Sequence, residues 1–120
     1  MKTIRCPRAT GQKWLEDLRS GRYEQGGRQL ASGCGQYCCL GVLQMGASGC
    51  VENDVFGQAG QLPSKEWLVD NGITFLSYGG GESRTPFLPK FGTTADDAND
   101  SGHDFFEIAD AIEDTIEYTD

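Results

Sequence analysis

The chain has 120 residues, 38% hydrophobic and 23% charged, with a formal net charge of −8, which suits one soluble domain around one core and is too short for two. No stretch reaches the roughly 18 apolar residues of a membrane span, and the basic start MKTIRCPRAT leads into no apolar segment, so neither a membrane anchor nor a signal peptide is expected. An acidic surface repels polyanions, which argues against nonspecific binding to DNA or RNA duplexes.

Residues 1–9 read as an N-terminal arm. The first predicted helix runs Thr10 to Ser20, with Thr10 as N-cap, an apolar stripe of Trp14, Leu15 and Leu18, and Gly21 at its end. Gln29-Leu30 and Gln36-Tyr37 read as two short strands of a hairpin joined by ASGCG. Cys38 to Ala47 is apolar on most sides, as befits a helix at the centre of the core, and Gly41 within it implies close packing. Val55-Phe56 suggests a short strand, and Pro63 opens a third helix that ends at Asp70. Ile73 to Tyr78 alternates and is rich in β-formers, whereas Thr85 to Phe91 carries two prolines and is at best an edge strand. Phe91 to Gly102 reads as a polar loop. The last helix is the clearest element: Phe105, Ile108, Ala109, Ile112 and Ile116 form one apolar face, with Asp100 or Ser101 as cap. Its outer face, Glu107, Asp110, Glu113, Asp114 and Glu117, places acids where they oppose the helix dipole.

Charge is divided unevenly along the chain. Residues 1–50 carry seven Lys/Arg against three acids, a net +4, and residues 51–120 carry three bases against fifteen acids, a net −12. Arg19, Arg22 and Arg28 lie with Tyr23, Gln25 and Tyr37 around Gly26-Gly27. Guanidinium forks bind phosphates, aromatic faces stack on bases, and bare glycines admit a ligand to the backbone, so this stretch suits a phosphorylated or nucleotide-like ligand. It contains no G-x4-G-K-[ST] motif, and ATP hydrolysis of that type has no support.

Two further constellations compete with the arginines. Cys38 near a helix start and His103, the only imidazole, could serve as nucleophile and base, with Asp100 or Asp104 orienting the ring. Cys34, Cys38, Cys39, Cys50 and His103 could supply metal ligands, but the paired C-x2-C spacing of a zinc site is missing, so no metal or other cofactor is expected. An odd count of five cysteines, two of them adjacent, reads as reduced thiols in a cytoplasmic protein.

Three segments resemble a group of small, mostly uncharacterised proteins of tailed bacteriophages. They are Trp14-x3-Leu18-Arg19-Ser20-Gly21-x-Tyr23-x-Gln25, then Tyr37-Cys38-Cys39-Leu40-Gly41-Val42-Leu43, then Asn99-Asp100-Ser101-Gly102-x2-Phe105-x2-Ile108-Ala109-Asp110-x-Ile112-Glu113. The chain departs from that pattern at Ala98, where leucine is expected. The resemblance implies a phage origin and a host-cytoplasm setting, and it brings no catalytic residues. By analogy with small phage proteins that disarm host defence, it implies a homo-oligomer that sequesters a nucleotide-derived immune signal, such as a cyclic nucleotide or a cyclic ADP-ribose relative.

The sequence therefore predicts an α+β domain over 1–120, with an N-terminal helix, a short antiparallel sheet, a buried central helix and a C-terminal amphipathic helix. The leading function is a non-enzymatic, signal-sequestering protein. Arg19, Arg22 and Arg28 would hold phosphates, Tyr23 or Tyr37 would stack, Gln25 would assist, and Asn99 or Asp100 would bond a ribose or base edge. The alternatives are a small hydrolase, using Cys38 and His103 or a metal, and an acidic inhibitor of a host protein.

Overall fold

A computed structural model describes residues 2–27, 30–32, 35–52 and 62–120. In chain order the elements are β1 Ile4–Cys6, α1 Arg8–Arg19, β2 Glu24–Gln25, β3 Gln36–Tyr37, α2 Cys39–Ser48, α3 Lys65–Asp70 and β4 Thr74–Leu76. There follow β5 Glu82–Ser83, β6 Phe87–Leu88, β7 Thr93–Thr94, α4 Ala95–Asp100, α5 Phe105–Glu113 and β8 Ile116–Tyr118. The mixture of helices with short sheets is the α+β class that the sequence predicts.

The main sheet has the order β5-β4-β1-β8, and β1 runs antiparallel to β4 but parallel to β8. The sheet is therefore mixed rather than antiparallel. Within the expected N-terminal arm, Ile4–Cys6 forms β1, an inner strand of this sheet. Ile4 and Cys6 point into the core while Arg5 faces out and meets Glu117 at 3.3 Å. Three residues are too few to display a period of two, so the sequence pattern could not announce this strand. α1 begins at Arg8 rather than after Thr10. Its cap position is Pro7, and the Arg8 N–H donates to Asp120 Oδ1 at 2.7 Å, an acceptor from the far end of the chain.

The predicted hairpin is also rearranged. β3 falls at Gln36–Tyr37 as expected, but it pairs in parallel with β2, and Ala31 makes a single antiparallel bridge to Tyr37. Gln29 and the expected strand Val55-Phe56 lie outside the described residues. α3 is capped by Ser64, whose hydroxyl accepts the Trp67 N–H at 3.1 Å, so Pro63 precedes the helix rather than opening it.

Phe91 to Gly102 contains β7 and α4 and is not a loop. α4 has six residues, of which Ala95, Ala98 and Asn99 are inward, and so short a helix shows no readable period. α5 is capped by Asp104, not by Asp100 or Ser101. Asp104 accepts from Glu107 N, and the Glu107 side chain accepts from Asp104 N, a reciprocal capping box. The helix stops at Glu113, and Ile116, placed by its spacing on the same helical face, enters β8 instead.

α1 packs on α2 and on α5, and α2 and α5 each also contact α4. Trp14, Leu18, Leu40, Leu43, Ile108 and Ile112 lie in this core, each no more than 2% exposed. The indole N–H of Trp14 donates to the Cys39 carbonyl at 2.9 Å. On α2, a Cβ placed at Gly41 would lie 1.8 Å from the Leu30 carbonyl oxygen, which explains a helix-weakening glycine in the centre of the core. Buried Gln44 donates to Glu52 Oε1 at 2.8 Å, and the Ser64 N–H donates to the same oxygen at 2.7 Å, joining α2 to the start of α3.

Candidate functional site

α1 ends at Arg19, and Gly21, with φ +76°, turns the chain toward β2. β2 carries Gln25 to the junction of α4 and α5. There the Gln25 carboxamide donates to Asn99 Oδ1 at 3.0 Å and to the His103 carbonyl at 2.7 Å. Asn99 answers by donating through Nδ2 to the Gly26 carbonyl at 2.6 Å. Two segments more than 70 positions apart are thus joined by three hydrogen bonds.

Beside this network lies a concavity of about 490 Å³, lined by Gln25, Gly26, Gly27, Asn99, Asp100 and Gly102. That volume falls within the roughly 300–1,000 Å³ of small-molecule sites. A side chain at Gly27 would place its Cβ 3.3 Å from Asp100 Oδ1, so the glycine sets the gap between the two walls. Gly102, at φ +98°, takes a conformation that L side chains rarely adopt and turns the chain from α4 into α5. His103 follows directly. Its ring stacks on Phe91 with centroids 4.0 Å apart and planes 12° apart, and its Nδ1 stands 3.7 Å from Glu107 Oε2.

Of the arginines expected around this site, Arg19 and Arg22 do not converge on it. Arg19 donates to Asp110 at 2.7 Å and to Glu113 at 2.9 Å on α5. These contacts also account for acids at the end of α5, where the dipole alone disfavours them. Arg22 reaches Oδ1 of Asp17 at 2.5 Å, an oxygen that Lys13 also meets at 2.8 Å. The Asp17 side chain is fully buried, and its other oxygen, Oδ2, has no partner among the described residues. Arg28 lies outside the described residues. Tyr23 and Tyr37 meet edge to face at 5.4 Å and pack against the core. Of the residues expected to bind ligand, Gln25, Asn99 and Asp100 come together, and the glycines beside them complete the walls.

The cysteine alternative fares poorly on chemistry. Cys38 is buried at the start of α2, and burial pushes its thiol up to about 11 despite backbone donors from Gly41 and Leu40. Burial also raises Cys39 well above the ordinary thiol value. A thiol held protonated at neutral pH is a weak nucleophile. His103 makes its ring contacts with Phe91 and Glu107, neither of which activates a thiol. Cys34 lies outside the described residues, and no group of three His, Cys, Asp or Glu capable of holding a metal occurs among the rest.

Two smaller hollows occur among the described residues. One, of about 170 Å³, lies between α3 and the β4–β5 pair near Leu68, Val69 and Phe75. The other, of about 250 Å³, lies between α1 and α2 near Trp14, Leu43 and Gly46. Neither gathers carboxamides as the Gln25–Asn99 concavity does.

Residues 8–49 match the model of a family described as a domain of unknown function (DUF8296). The match spans α1 through α2 and so includes one wall of the concavity, Gln25 to Gly27, but not Asn99 to Gly102. No curated protein and no solved structure matches the chain.

Proposed function

We propose that this is a non-enzymatic binding protein that holds a small nucleotide-derived ligand in the concavity between Gln25–Gly27 and Asn99–Gly102. The observation that carries the reading is the Gln25–Asn99–Gly26 network at the edge of that concavity. It fixes two carboxamides, groups that both donate and accept, beside glycine backbone that a planar ligand can approach. The buried, protonated Cys38 thiol favours holding such a ligand over cleaving it. The phage resemblance supplies the biological use in this proposal: the protein would sequester a host nucleotide signal in the cytoplasm of the infected cell.

The test is mass spectrometry of the denatured, freshly purified protein, followed by thermal unfolding with a panel of cyclic nucleotides and ADP-ribose derivatives. A co-purified nucleotide, or a ligand that raises the unfolding temperature and is recovered intact after heating, is the expected result. No co-purified small molecule and no stabilisation by any member would sink the reading. A second reading, an acidic inhibitor of a host protein, draws on Phe106, which is 55% exposed on α5 next to Glu107 and one turn before Asp110. Phe106→Ser would abolish capture of a stoichiometric host protein under that reading and leave ligand binding unchanged under the first.

A further inference from the structure

Of the three asparagines in the sequence, Asn71 alone is followed by glycine. A glycine carries no Cβ, so its nitrogen approaches the carboxamide of a preceding asparagine with little hindrance. The chemistry open to such a pair is intramolecular. The Gly72 nitrogen gives its proton to solvent base and bonds to Asn71 Cγ. The Cγ–Nδ2 bond breaks, and Nδ2 takes a proton from water and leaves as ammonia. Water then opens the cyclic imide at one of its two carbonyls, giving aspartate or its β-linked isomer. Nothing is oxidised or reduced, and solvent water is the one co-reactant.

In the fold both nitrogens of this reaction are engaged. Asn71 is the C-cap of α3, and Gly72, at φ +70°, takes the left-handed conformation that commonly follows a helix. The Gly72 N–H donates to the Val69 carbonyl at 3.0 Å and the Ile73 N–H to the Leu68 carbonyl at 2.8 Å, the two bonds of a Schellman closure. Leu68 and Ile73 are buried with it. The leaving group is held as well, since Asn71 Nδ2 donates to the Trp67 carbonyl at 2.9 Å. Attack requires the Gly72 nitrogen to release the Val69 carbonyl and the carboxamide to turn from Trp67, so both bonds must break first.

We infer that Asn71 is a site of spontaneous deamidation gated by the last turn of α3: the closed turn protects it, and each opening exposes it to a covalent change. α3 has six residues, too few to hold its helical form without tertiary support, so its opening is a local event. The product also hinders reclosure. Aspartate at position 71 puts a carboxylate oxygen where Nδ2 donated to Trp67, at a helix end that already carries partial negative charge. The β-linked isomer lengthens the main chain inside the closure besides.

Peptide mapping by mass spectrometry tests this on the full chain, incubated in mildly alkaline buffer with and without an unfolding concentration of urea. The unfolded chain should deamidate at Asn71, and the native chain should do so at least about tenfold more slowly. An Asn71 that stays intact in urea overturns the site, and equal rates overturn the gate. Ser64→Ala removes the hydroxyl that accepts the Trp67 N–H and caps α3. It should raise the native rate about fivefold, the fold-change to which the loss of a cap corresponds, and leave the rate in urea unchanged. An unchanged native rate in that variant overturns the assignment of the gate to α3. Asn71→Asp should lower the unfolding temperature by a few degrees at neutral pH. An equal or higher unfolding temperature overturns the hindered reclosure.

Discussion

α2 and α5 both pack on α1, yet they are held by different means. α2 is held through backbone: the Leu30 carbonyl crosses at Gly41, the Trp14 indole bonds the Cys39 carbonyl, and Gly46 lies against buried Asp17. α5 is held by an apolar stripe inside and by Arg19 on exposed Asp110 and Glu113 outside. The difference decides what a substitution costs. A backbone crossing cannot yield without moving a segment, whereas an exposed ion pair exchanges its partner for water and salt.

The sharpest challenge to the α2 side is Gly41→Ala. Alanine is the better helix former, so propensity alone would favour it by up to about 1 kcal/mol. The new Cβ would stand 1.8 Å from the Leu30 oxygen, and either α2 or the chain at Leu30 must shift. Overpacking of this kind should win, with a net loss of about 3 kcal/mol or more in urea unfolding. A stabilised variant would show that the close approach is not kept in solution.

A middle case lies where α1 faces Gly46. The Asp17 side chain is fully buried, and its Oδ1 is met by Lys13 and Arg22, cations that are about half exposed. Lys13→Ala/Arg22→Ala strands a buried carboxylate and should cost about 3 kcal/mol, against a smaller loss for either single change. Adding Asp17→Asn to the double variant removes the stranded charge and should restore part of that loss. If it restores nothing, the two cations act through the packing of their stems rather than through charge.

These contrasts also explain what was legible in the sequence. α5 was readable because its inward residues repeat at helical spacing, and Gly41 was readable as a packing site because glycine in an apolar helix needs a reason. β1, α4 and β8 were not, since elements of three to six residues carry too few positions for a period to appear. The parallel pairing of β2 with β3 depends on tertiary contact rather than on local turn chemistry. Within the site, Gln25 stands out beside Tyr23 and Gly26-Gly27 and Asn99 and Asp100 lie far along the chain, and their meeting is tertiary information that composition does not hold. Arg19 and Arg22 turn to carboxylates of the chain for a physical reason. A guanidinium shows affinity for an anion without saying whose, and the chain carries eighteen Asp and Glu residues of its own.

The smallest effect belongs to the α5 side and completes the comparison. Asp110 is exposed, and the hydrogen bond from Arg19, with the charges of Arg19 and Lys90, holds its carboxyl below the ordinary aspartate value. A lowered folded-state value means that the contribution is present above the unfolded value, about 4, and is lost as pH falls through the folded one. Arg19→Ala should therefore raise the Asp110 titration midpoint toward the ordinary range, a shift that NMR of the carboxylate reads directly. The accompanying loss of stability should be slight at neutral pH, should disappear once the pH has fallen through the folded-state value, and should shrink in about 0.5 M salt. A loss that persists at low pH and high salt would mean that the Arg19 stem, not its charge, holds α5 to α1. In that case α5 too would be held by packing, and the contrast with α2 would reduce to one of degree.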